Sequence, residues 1–100
     1  MDQVQVNWLD LARCVELRVL EKMQEDLANW EEDLSMRQMF VQDAADGLRV
    51  CEMILTGNVQ AIENQLWEMD TAARDCVFEF IEQSLEMSWE SLRHNMVDTV

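Results

Sequence analysis

The chain has 100 residues, 49% of them apolar, and sets 21 Asp and Glu against 7 Lys and Arg for a formal net charge of −14. A length of this order allows one acidic domain over 1–100 with a single core, and the apolar share excludes a chain disordered by composition. The charge argues against direct binding to nucleic acid or to an anionic membrane face, because such a surface repels phosphate, and it favours a basic protein as partner.

Proline is absent and glycine occurs only at Gly47 and Gly57, so long stretches contain nothing that stops a helix. In the first segment Leu9, Ala12, Val15, Val19, Met23, Leu27, Trp30 and Leu34 recur at steps of three or four, the stripe of an amphipathic helix, with Asn7 as its predicted N-cap. Ser35 and Gln38 fit a capping box, which predicts a turn at 33–35 and a second helix opening near Met36. That helix carries Met36, Met39, Phe40, Leu48, Cys51, Ile54 and Leu55, and closes at Gly57, with Asn58 capping the next. Gly47 either interrupts it beside Asp46 or admits a close neighbour. The last segment runs through Val59, Ile62, Leu66, Met69, Ala73, Cys76 and Phe80, then slips register to Ile81, Leu85, Trp89, Leu92 and Met96. Asp70 and Thr71 offer a cap within it. The expected fold is all-α, a small antiparallel bundle of three to four helices.

Cys14, Cys51 and Cys76 fall at apolar helix positions and read as buried free thiols, which suits a reducing compartment. The segment MDQVQVNWLD has neither a basic start nor an apolar run, and no stretch of about 18 apolar residues exists to span a bilayer. A cytoplasmic protein is expected. His94 is the sole histidine, so a multi-histidine metal site and an imidazole acid–base pair are both ruled out, and the E-x-x-H pairs of a carboxylate-bridged metal bundle are missing. No glycine-rich loop or nucleophile elbow occurs. These absences predict a chain without catalytic residues, metal or cofactor.

The acids are the remaining signal. Glu68, Asp75, Glu79, Glu82, Glu86 and Glu90 recur at steps of seven, four, three, four and four, which on one continuous helix forms a carboxylate stripe. Glu21, Glu25, Asp26, Glu31, Glu32 and Asp33 crowd the end of the first segment with only Lys22 to balance them. A solvated face serving stability alone mixes signs, since like charges at i,i+4 destabilise a helix by a few tenths of a kcal/mol. One carboxylate per turn places a charge about every 5 to 6 Å, within a factor of two of the phosphate spacing on a DNA strand.

Two functions follow as expectations. The first is a non-enzymatic inhibitor that imitates a phosphate backbone and occupies the basic site of a nucleic-acid-binding host protein or complex. Small size, acidity and helical content are shared with phage inhibitors of restriction, CRISPR and repair nucleases, a likeness of type that carries no motif. The second is a helical interaction module or homodimeric adaptor using exposed Met and Trp, with Trp8, Met36, Met39 and Phe40 as candidates.

Overall fold

The computed structural model describes residues 5–97, with side chains described through His94. Five helices follow in order: α1 (Trp8–Asn29), α2 (Leu34–Thr56), α3 (Val59–Trp67), α4 (Thr71–Leu85) and α5 (Trp89–Val97). The protein is an all-α bundle. It is divided more finely than three or four helices because the last segment turns twice.

Short polar side chains set the helix starts. Asn7, Asn58 and Asp70 accept the backbone N–H of Asp10, Ala61 and Ala72 at 3.1, 3.1 and 3.3 Å, as their positions in the sequence predict. The start of α2 differs. Asp33, rather than Ser35, is the cap, accepting the Met36 N–H at 3.0 Å. A carboxylate there both satisfies an orphan donor and meets the positive end of the helix dipole, and the turn consequently falls at residues 30–33.

Gly57 ends α2 with φ 67°, the left-handed conformation that glycine adopts without cost. The end of α4 is less conventional. Glu86 takes φ 57°, and two side chains then restart the chain: Ser88 Oγ accepts the Ser91 N–H at 3.2 Å, and Glu82 reaches forward to accept the Trp89 N–H at 2.6 Å.

α1 and α2 pair antiparallel as a long hairpin, and α4 lies along it. Gly47 admits the close approach, since a Cβ there would stand 3.0 Å from a Val19 methyl, and α2 continues through it unbroken. Ile54, Ile62, Leu66, Ile81 and Leu92 are fully buried, each stabilising the fold by about 2 kcal/mol relative to an exposed side chain. The buried residues of α1 stop at Val19 and those of α2 begin at Ala44. The core therefore occupies the end of the hairpin where α1 begins and α2 finishes. Beyond it the two helices run on as an arm, and the molecule measures 53 × 21 × 19 Å.

Candidate functional site

The acids of the last segment do not form one stripe. Glu68 caps the C-terminus of α3, Asp75, Glu79 and Glu82 ride on α4, Glu86 is the left-handed residue after it, and Glu90 lies in the first turn of α5. The turns at 68–70 and 86–88 break the continuous helix that a regular spacing requires. Glu82 is moreover half-buried and committed to the Trp89 N–H, and Glu79 accepts a hydrogen bond from Gln83 at 3.1 Å.

One carboxylate outside the expected set has a structural task. Glu63 is buried, accepts the Trp89 indole N–H at 2.9 Å and pairs with Arg93 at 3.3 Å. Its signal in the sequence is its register. It stands four residues after Val59 and three before Leu66, inside the apolar stripe of α3, where an acid is buried only with partners.

The acids of the arm are arranged differently. Glu21 and Glu25 are exposed on α1, and the loop gathers Glu31, Glu32 and Asp33 at its tip, all exposed. Asp26 is half-buried and bridges to Lys22 at 3.1 Å. Among the described residues Glu21, Glu25, Glu31 and Glu32 have no ion pair, in contrast to Asp26, Asp46 and Glu63, which pair with Lys22, Arg49 and Arg93. Arg37, the cation nearest the tip in sequence, donates to the Leu27 carbonyl at 2.7 Å and so closes the end of α1.

Apolar side chains interleave with these acids. Trp30, Leu34, Met39 and Val41 are 42 to 69% exposed, and Trp30 stands against Phe40 with ring centroids 6.3 Å apart. Of the four apolar candidates read from the sequence, Met39 is exposed and Met36 and Phe40 are half-buried on the arm. Trp8 is at the far end, half-buried with its indole over Gly57. Periodicity assigns Trp30 and Leu34 to a core-facing stripe, but among the described residues no helix covers that part of the hairpin.

Where α4 begins, it leaves a cavity of about 180 Å³ against the hairpin. Its floor is apolar, formed in part by Val19, Met23, Phe40 and Ala73, and Asp26, Asp43 and Asp70 stand at its edge. Asp43 is held above the ordinary carboxylate range, first by desolvation and then by the neighbouring Asp70 and Asp46 carboxylates, with Lys22 opposing. Burial also pushes the Cys51 thiol up to about 12. The other two cysteines depart from the expectation of burial, since Cys14 is exposed and Cys76 half-buried beside the cavity. All three thiols are unpaired.

Among the described residues no group of three or more His, Cys, Asp or Glu is placed to hold a metal ion, and no helix is long and apolar enough to cross a membrane. His94 is exposed in the last turn of α5. Comparison with protein families, curated proteins and solved structures finds no match.

Proposed function

We propose that this protein acts without catalysis, by presenting its acidic arm to a cationic surface of a partner protein in the place that a nucleic-acid backbone would take. The observation that carries this reading is the set of exposed carboxylates, Glu21, Glu25, Glu31, Glu32 and Asp33, on a hairpin that projects past the core. Like charges gathered at a tip raise the free energy of the folded chain. A complementary basic cleft offsets that repulsion and gains speed of association from it. Nucleic-acid-binding clefts answer to the placement of negative charge more than to its chemical source, so a partner of that class is the natural target, as it is for phage inhibitors of nucleases. The unpaired thiols suit a reducing, cytoplasmic setting.

The same arm favours a second contribution. Trp30, Leu34, Met39 and Val41 expose more apolar surface than a solvated hairpin requires, and an apolar centre ringed by charge is a common interface plan. The acids then govern approach and the apolar groups residence. A homodimer through this face is disfavoured by a formal charge of −14 on each copy.

The test is competition. Partners captured from host lysate at low salt are challenged with duplex DNA and with structured RNA. The reading expects a nucleic-acid-binding protein among them that is displaced by nucleic acid and is not captured when Glu21, Glu25, Glu31 and Glu32 are all changed to Gln. A captured partner that ignores both nucleic acid and the Gln changes contradicts it.

A further inference from the structure

The hairpin face that α4 covers near the core continues uncovered along the arm. α4 buries Ala73, Val77 and Phe80 against α1 and α2, and the cavity beside its first turns extends over Met23 and Phe40, both half-buried. We propose that this groove is the seat of a cationic amphipathic helix from a partner protein, its apolar residues extending the row begun by α4 and its Lys or Arg side chains meeting Asp26, Asp43 and Asp70. The inference rests on the cationic-partner reading above and gives that partner a shape.

Three features converge on this occupant. The cavity, about 180 Å³, exceeds the roughly 150 Å³ that accommodates a benzene ring in a protein interior, so one large apolar side chain can enter it. The groove between paired helices suits a third helix packing along them. The rim then selects the charge. Asp26, Asp43 and Asp70 are opposed only by Lys22 among the residues that line the cavity, and Asp43 already feels its neighbours as repulsion. A neutral helix would desolvate these three carboxylates with only Lys22, already bridged to Asp26, to compensate, and a second copy of this acidic chain would bring further negative charge. A helix with Lys or Arg along the edges of its apolar face removes the repulsion and keeps the stems of those side chains on the apolar floor.

The test uses the full chain and three synthetic helices of about five turns: a Leu/Lys amphipathic peptide, its Leu/Glu counterpart and a Ser/Lys peptide of equal charge. Amide shifts are followed by NMR and affinities by calorimetry at low salt. The expected result is tight binding of the Leu/Lys peptide alone, with shifts centred on Met23, Phe40, Ala73 and Cys76. In a Cys14→Ser background, alkylation of Cys76 should slow about tenfold when that peptide is bound. Ala72→Trp, which fills the mouth of the cavity from an exposed position, and Asp43→Lys should each weaken it about tenfold or more. Melting temperatures no lower than that of the parent exclude misfolding as the cause, and the Cys76 readout on the Cys14→Ser chain stands apart from them.

Equal binding of the Leu/Glu or Ser/Lys peptide overturns the proposal, as does a failure of all three to bind. Leu/Lys binding that spares Cys76 and tolerates Ala72→Trp also overturns it, while the competition with nucleic acid still tests the acidic arm independently.

Discussion

At residue 63 a carboxylate occupies a position that the helix period assigns to the core, and it is tolerated because it has two donors, the Trp89 indole and Arg93. Removing it leaves a buried indole N–H without an acceptor. Glu63→Ala should therefore lower stability by about 2 to 4 kcal/mol, and Glu63→Gln, which retains an acceptor, by about 1 kcal/mol. Urea unfolding followed by tryptophan fluorescence measures both. Asp43 gives the opposite sign. Its pKa is higher in the folded chain than the ordinary value, so its favourable contribution is complete below an Asp pKa of about 3.9 and is lost as pH rises through the folded value. Asp43→Asn should accordingly raise the melting temperature at pH 7 and leave it near that of the parent at about pH 3. A lower melting temperature at pH 7 would mean that Asp43 has a stabilising partner. Neither role follows from residue type. Periodicity flags Glu63 as an intruder without naming its donors, and Asp43 meets Asp70 only because α4 is laid along the hairpin.

Among the elements, the helix starts are legible in the sequence because Asn7, Asn58 and Asp70 act on N–H groups within three residues of themselves. Gly57 is legible as a stop for the same local reason. The end of α4 is not. A glutamate stands in the left-handed position, and Glu82 holds the next helix from seven residues away, a contact that no short motif encodes. The conformation at Glu86 implies a specific outcome. Glu86→Gly should stabilise the protein by about 0.5 to 1 kcal/mol by relieving the Cβ at positive φ, while Glu86→Gln, which removes the charge but keeps the Cβ, should gain much less. Thermal denaturation of the two variants separates backbone conformation from charge. This turn also removes the predicted carboxylate stripe, since Glu86 and Glu90 leave the line of Asp75 and Glu79 when the chain changes direction there.

For the whole molecule, the decisive feature is that the hairpin outruns its cover. A three-four stripe reports which face of a helix is apolar and is silent on whether another element reaches it. Met23, Trp30 and Leu34 continue the row of Val15 and Val19 without change of period, yet the row is buried only as far as Val19. The arm thus combines exposed apolar side chains with carboxylates that lack counter-ions among the described residues, and this combination underlies the proposed binding of a cationic partner. Such binding must carry an ionic-strength signature, because it depends on charges screened within about 10 Å at 0.1 M salt. The direct measurement is affinity for the captured partner as a function of salt, in the parent chain and in the variant with Glu21, Glu25, Glu31 and Glu32 changed to Gln. The account predicts a steep loss of affinity with salt in the parent, and in the variant both weaker binding and a shallower slope. Equal affinities and equal slopes for the two chains would contradict it.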